Sequence, residues 1–285
     1  MRINTNVASL TALESNTLVN KNLTNSLEKL SSGLRINKAS DDASGLAIAD
    51  KLRTQASSVT QSISNGNSAV ALIQIADKAM AEQSNILDIV KQKLIQAATA
   101  TTSAEGRSAI GKDISKLLTQ LNEIANQTNY NGIGLLQGAT AASATSTLTF
   151  QMGEKSTNTA QLTANVRANT SGLAIKVLQT ETSGANANTF AAASAQTFMA
   201  TIDTAINTLN TWRADFGSTQ NQIESAIRNM MTQVTNIKAA ESVIRDVDYA
   251  QESANFNKQN IIAQAGTYSI SQANQVQQNI LKLLQ

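Results

Sequence analysis

The sequence predicts a mainly α protein: long antiparallel helices in coiled-coil-like packing, N- and C-terminal helices paired, and one small β-hairpin region in the middle of the chain. Three observations carry this. Among 285 residues there is no proline, where average usage would supply about 14, so no helix is interrupted by a missing N–H. Apolar residues recur in alternating steps of three and four through long stretches, as they do in helices packed as coiled coils. Between residues 137 and 190 that period gives way to Ala, Ser, Thr, Gly and Asn.

The first helical pattern covers residues 3–34, with Leu23, Leu27, Leu30 and Leu34 on one face. The stripe has little aromatic bulk, so this arm needs a partner surface. From Gly33 to Gly45 the period fails. Asn37, Ser40, Asp41 and Asp42 fill the gap with side chains that bond nearby backbone, which suits turns and caps. A second pattern runs from Leu46 to Thr99, with Val59, Ile63, Val70, Ile73, Met80, Leu87, Val90 and Leu94 on or near a seven-residue repeat. Its least interrupted part, some 44 residues, predicts about 65 Å of helix at 1.5 Å per residue. Thr99 to Ser108, containing Gly106, is read as a turn.

Ile110, Ile114, Leu117, Leu121, Ile124 and Thr128 follow in clean 4-3-4-3-4 spacing, ending at the turn signal Asn131-Gly132. In the middle region Leu148 to Met152 alternates apolar and polar, and Gln161 to Val166 does so loosely. These predict the two strands of one hairpin, with loop on either side. From Phe190 the helical signal returns through Phe198, Ile202, Leu209, Phe216, Ile223, Ile227, Met230, Val234, Ile237 and Ile244. A final stretch to Gln285 carries Ala254, Ile261, Ala265, Val276, Ile280, Leu283 and Leu284. Two thin terminal stripes thus flank two strong central ones, so the arms should pair with each other and order fully against copies of themselves.

Composition removes whole classes of chemistry. Without histidine or cysteine there is no Ser-His-Asp triad, no thiolate nucleophile, no usual zinc site and no disulfide. Net charge is +2 with the signs interspersed, unlike the clustered basic face of a nucleic-acid binder. The start lacks the apolar core of a secretory signal, and no stretch approaches the roughly 20 apolar residues of a membrane span. Asp41 and Asp42 could be a carboxylate pair for acid-base work, but neighbouring loop aspartates ordinarily act as caps. Asp246, Asp248 and Glu252 lack EF-hand spacing, and Gly132-Ile133-Gly134 lacks the strand before a phosphate loop.

Leu27-Glu28-Lys29-Leu30-Ser31-Ser32-Gly33-Leu34-Arg35-Ile36-Asn37, followed by Asp41-Asp42-Ala43-Ser44-Gly45-Leu46-Ala47-Ile48-Ala49, resembles bacterial flagellin. So do Asn126 to Gly132, Ile244 to Ala250, Gln264 to Thr267 and Gln272 to Val276. The resemblance covers residues 1–138 and 195–285; one departure is Gln277, where the family often has proline. It implies a filament subunit with little or no added outer domain, and no enzyme and no cofactor. It also implies two domains: 1–44 plus 245–285 as a terminal inner-tube domain with connector, and 45–244 as a rod-like helical domain including the 137–190 variable region.

The resemblance further assigns sites. Leu23, Leu27, Leu30, Leu34, Ile261, Val276, Ile280, Leu283 and Leu284 would drive assembly. Arg35, Asn37, Asp41, Asp42, Arg245, Asp246 and Asp248 would form the connector between the two domains. Partners would be copies of itself, the flagellar export apparatus, an export chaperone, and the filament cap and hook-junction proteins, without nucleic acid or membrane insertion. The location would be the extracellular filament, reached without a cleaved signal. Flagellins recognised by the flagellin-sensing Toll-like receptor present an Arg and a Leu on the long helix and a Glu on the next. The aligned positions here are Ile89, Lys93 and Lys116, which implies weak recognition. A secreted coiled-coil needle, hook-junction or translocator protein would share the long helices but not both sets of terminal motifs. A helical enzyme would be left with Asp, Glu, Lys and Tyr chemistry.

Overall fold

A computed structural model describes residues 5–137, 148–162, 166–184 and 190–283, with side chains as far as Asn279. It is mainly helical and divides into two compact units, Met1–Ser57 with Val234–Gln285, and Ser58–Gln233.

The first unit holds helix α1 (Val7–Ser32), the start of α2 (Ala43–Ala98), the end of α5 (Ala192–Arg245) and α6 (Tyr249–Leu283). Asn6 caps α1 by accepting the Ser9 N–H at 3.2 Å, and Gly33 ends it in the left-handed conformation at φ 73°. The Asn6 amide also donates to the Ala273 carbonyl at 3.1 Å. At the other end of α1, a Cβ on Gly33 would stand 3.0 Å from the Tyr249 hydroxyl. The terminal helices therefore pair antiparallel, as predicted.

In the second unit the seven-residue repeat is the core. Ile73, Met80, Leu87 and Leu94 of α2 are fully buried, as are Ile202 and Leu209 of α5, with Phe216 and Ile223 continuing that series. Ion pairs Asp77–Arg213, at 2.9 Å, and Lys91–Asp203 tie α2 to α5 in antiparallel register. Helix α3 (Ala104–Gln127) begins inside the predicted turn, because the Ser103 hydroxyl caps it by accepting the Gly106 N–H at 3.1 Å. Its buried face is Ile110, Ile114, Leu118, Leu121 and Ala125. That face lies one residue round from the predicted stripe, leaving Leu117 and Ile124 half-buried beside it.

Two hairpins occur where one was predicted. Strands β1 (Asn129–Tyr130) and β2 (Ile133–Gly134) close around Asn131 and Gly132, both at positive φ, as a two-residue Asn-Gly hairpin turn requires. Strands β3 (Leu148–Gln151) and β4 (Thr159–Leu162) pair with Leu148 opposite Leu162. Thr163, Ala164 and Asn165 of the second predicted strand lie outside the described residues.

Residues 166–184, read from sequence as loop, are a packed element. Val166, Ala168, Leu173, Ile175 and Leu178 are buried, and Lys176–Thr182 forms a short helix, α4. Polar side chains hold it down. Gln83, fully buried, donates to the carbonyls of Ala168 at 2.7 Å and Leu121 at 3.1 Å. Asn122 accepts the Thr170 N–H at 2.8 Å, and the Thr170 hydroxyl donates to Gln179 at 2.9 Å.

Candidate functional site

The connector is built from backbone pairing and three aspartates. Past Gly33 the chain makes a short antiparallel bridge, Leu34 with Asp246. Arg35 N–H donates to the Arg245 carbonyl at 2.6 Å, and Val247 N–H to the Gly33 carbonyl at 3.0 Å. The Arg35 guanidinium adds a bond to the Ile244 carbonyl at 2.6 Å. Arg245 reaches Asp50 at 3.7 Å. Within this segment Ile36 is buried, 2% exposed.

Asp41, Asp42 and Asp248 each order a different piece of backbone, and a fourth aspartate, Asp246, holds a side chain. Asp41 Oδ2 accepts the N–H groups of Asn37 and Lys38, both at 3.1 Å, closing the turn. Asn37 in turn donates to the Ser32 hydroxyl at 2.8 Å, tying the turn to the end of α1. Asp42 Oδ1 accepts the Gly45 N–H at 2.9 Å, the Ser44 N–H at 3.1 Å and the Ser44 hydroxyl at 2.8 Å. It caps α2, and these bonds, led by the Gly45 N–H, hold its carboxyl below the usual range. Asp248 caps α6 in the same way through Ala250 and Gln251, at 2.9 and 3.1 Å. Asp246 accepts the Ser242 hydroxyl at 2.6 Å. The carboxylate oxygens of Asp41 and Asp42 thus serve the backbone, which is the work of structural caps and not of an acid-base pair.

The terminal-helix surface is divided unexpectedly. On α1 one series of half-buried positions is Ser9, Ala12, Asn16, Val19, Leu23 and Leu30, with Ser26 buried, and on α6 Glu252, Phe256, Gln259, Ala263, Gly266, Ile270, Ala273 and Gln277; Asn25, Lys29 and Asn260, also half-buried, lie beside these series. Both sets step by three and four, a heptad seam made mainly of small and polar residues. Several larger apolar side chains lie off it, while Val19, Leu23, Leu30, Phe256 and Ile270 lie on it. Leu10, Leu13 and Leu27 are 52–56% exposed, Ile261 67%, Tyr268 73% and Val276 50%. Of the predicted assembly residues, Leu23, Leu30 and Leu34 are half-buried, while Leu27, Ile261 and Val276 face outward. Leu284 lies outside the described residues, as do the side chains of Ile280 and Leu283. Sequence reasoning missed Asn16, Ile36, Gly45 and Gly266. The seam's period was present in the sequence, but carried by small and polar residues that a search for apolar stripes passes over.

Ile89, Lys93 and Lys116 belong to the other unit. Ile89 is 42% exposed, Lys116 is exposed, and Lys93 pairs with Asp113 at 3.0 Å. Among the described residues no helix is long and apolar enough to cross a membrane.

Comparison with known proteins identifies both ends of the chain. Residues 3–141 match the bacterial flagellin N-terminal helical region and residues 199–284 the C-terminal helical region. The chain is 36% identical to flagellin of Bacillus subtilis (strain 168) over 305 aligned residues, covering both chains entirely. It is 34% identical to the flagellar filament 33 kDa core protein of Treponema phagedenis, again across the whole of both. Among solved structures, flagellin of Bacillus cereus aligns at 29% identity with a TM-score of 0.49, covering 62% of this chain and 94% of that one. With both terminal regions matched and full-length relatives above 30% identity, the chain belongs to the bacterial flagellin family, a family of structural filament proteins.

Proposed function

We propose that this chain polymerises into the flagellar filament through its terminal helices, with residues 1–44 and 245–285 forming an inner tube, 45–244 an outer rod, and the connector setting the angle between them. The observation that supports this most is the reversed distribution of residues on α1 and α6. Small and polar groups make up most of the seam within the chain, while Leu10, Leu13, Leu27, Ile261, Tyr268 and Val276 are left outside it. Each has half or more of its surface still to lose, about 1 kcal/mol per residue on burial, so a polymer gains what the single chain forgoes. Family membership supports the flagellum as the location, with copies of the chain, the export apparatus and chaperone, and the cap and hook-junction proteins as partners. The altered residues at Ile89, Lys93 and Lys116 support weak recognition by the flagellin-sensing Toll-like receptor.

The test is sedimentation with electron microscopy. The full chain, given salt or seeds, should pellet as filaments of uniform diameter. A chain shortened by about 40 residues at each end should stay folded and monomeric. A full chain that never polymerises would overturn the reading.

A further inference from the structure

We infer that Asn16, seated opposite Gly266, sets the register in which α1 and α6 pair, and so acts as a positioning residue for the outward surface. This goes beyond the assembly reading, since it concerns pairing within one chain. A Cβ added to Gly266 would lie 3.2 Å from Asn16 Oδ1, and that oxygen is buried without a hydrogen-bond partner. The polar knob therefore sits in a hole that glycine leaves open and that a Cβ would crowd. An orphaned acceptor costs stability, and a polar group at a coiled-coil seam position is best known for specifying register at that cost.

Counting in heptad steps from this layer places Ala12 opposite Ile270, Val19 opposite Ala263 and Ser26 opposite Phe256. Large faces small in each, the interdigitation that fills a close seam. A slip of α6 by one heptad would instead set Ala12 against Ala263, Val19 against Phe256 and Asn16 against Gln259. The first leaves a void, the second crowds, and the third closes the hole on the knob. It would also carry Ile261 and Tyr268 about 10 Å along α1, moving Tyr268 away from Leu13. The bridge between Leu34 and Asp246 ties one end of the pair, about 26 Å from Asn16 along the helix, and the Asn6–Ala273 bond ties the other, about 15 Å from it.

The chain has no cysteine, so introduced pairs report register cleanly. Ala12→Cys with Ile270→Cys reads the observed layer, and Ala12→Cys with Ala263→Cys reads the slipped one. Oxidative coupling is measured separately in the soluble chain and in pelleted polymer, so a parent that fails to pellet counts against assembly and not against the register. The parent should couple only the first pair. Asn16→Leu should raise the second from background to a yield comparable with the first. Moving the knob across the layer, Asn16→Ala with Gly266→Asn, should restore coupling of the first pair alone. Coupling of the first pair alone in Asn16→Leu would overturn the inference, as would coupling of both pairs in the parent or failure of the exchanged variant to restore selectivity.

Discussion

Asp42 and Gly45 fit one another in a way that leaves room for neither to change. Asp42 accepts the Gly45 N–H at 2.9 Å, and an added Cβ on Gly45 would stand 2.4 Å from the same carboxylate and 2.8 Å from Ile36 Cδ1. In a helix, Gly→Ala ordinarily gains about 1 kcal/mol. Here the methyl displaces the cap and presses on buried Ile36, a crowding that costs about 1–3 kcal/mol. Gly45→Ala should therefore destabilise the chain on net, by about 1 kcal/mol, seen as a lower urea midpoint. Filament assembly should fall further than stability does. A gain in stability would show that the helix preference wins.

The same carboxylate makes the connector sensitive to acid. Its bonds to Gly45 and Ser44 hold Asp42 below its ordinary value of 3.8, so the folded chain binds this proton less readily than the unfolded chain. The stabilisation is fully present above 3.8 and is lost as pH falls through the depressed folded value. Amide exchange at Ser44 and Gly45 should be flat from neutral pH down to the ordinary carboxylate range and accelerate, relative to the intrinsic rate, only below it. Asp42→Asn keeps an acceptor oxygen but cannot titrate, so the acid acceleration at these two amides should disappear in that variant.

How far the fold was legible follows from the physics of period against identity. The repeats Ile73, Met80, Leu87, Leu94 and Ile202, Leu209, Phe216, Ile223 lie in the core as spaced. Where two apolar neighbours compete, spacing cannot choose: Leu118 is fully buried and Leu117 is not. The terminal pair was legible as a pair, and Leu23 and Leu30 lie in its seam, but much of the rest was not, because it is written largely in Ser, Ala, Asn and Gly. The capping aspartates of the connector were legible because loop aspartates next to a helix start have one common use. Residues 166–184 were not. Their packing depends on Gln83, and a lone glutamine on a long helix gives no sign that it bonds carbonyls 38 and 85 residues away.

That glutamine yields a direct measurement. Gln83→Met keeps the volume and leaves the carbonyls of Leu121 and Ala168 without its amide. Losing buried partners of this kind costs about 1–3 kcal/mol. Thermal unfolding should fall accordingly, and protease sensitivity should rise first within residues 166–184. Cleavage elsewhere, with this segment intact, would mean that its apolar side chains hold it unaided.

On the terminal helices, stability and assembly should separate by position. Leu27 and Ile261 are 55% and 67% exposed, so Leu27→Ser and Ile261→Ser should change monomer stability by no more than about 0.5 kcal/mol while abolishing or sharply reducing pelleting. Leu23, half-buried in the seam, should behave otherwise, with Leu23→Ala lowering stability of the terminal pair by about 1–2 kcal/mol. Paired denaturation and sedimentation curves decide this. Normal filaments from Leu27→Ser and Ile261→Ser would remove the outward face from the assembly surface.

Recognition by the flagellin-sensing receptor should respond to restoring its three contact types on this chain. On the proposed alignment, Ile89, 42% exposed, stands for an arginine whose guanidinium hydrogen bonds it cannot supply, and exposed Lys116 stands for a carboxylate. Lys93 is held by Asp113 at 3.0 Å, an exposed pair worth about 0–1 kcal/mol, so replacing it costs the fold little. Interface residues of this kind contribute about 2 kcal/mol or more each when they are hot spots, roughly 30-fold in affinity. Purified parent monomer should therefore activate receptor-bearing cells weakly. The combination Ile89→Arg, Lys93→Leu and Lys116→Glu should lower the concentration for half-maximal response by at least about tenfold, and Lys116→Glu alone should act in the same direction by removing like-charge repulsion. Strong activation by the parent, or no response to the triple change in a chain that still folds and polymerises, would locate the determinant elsewhere on the molecule.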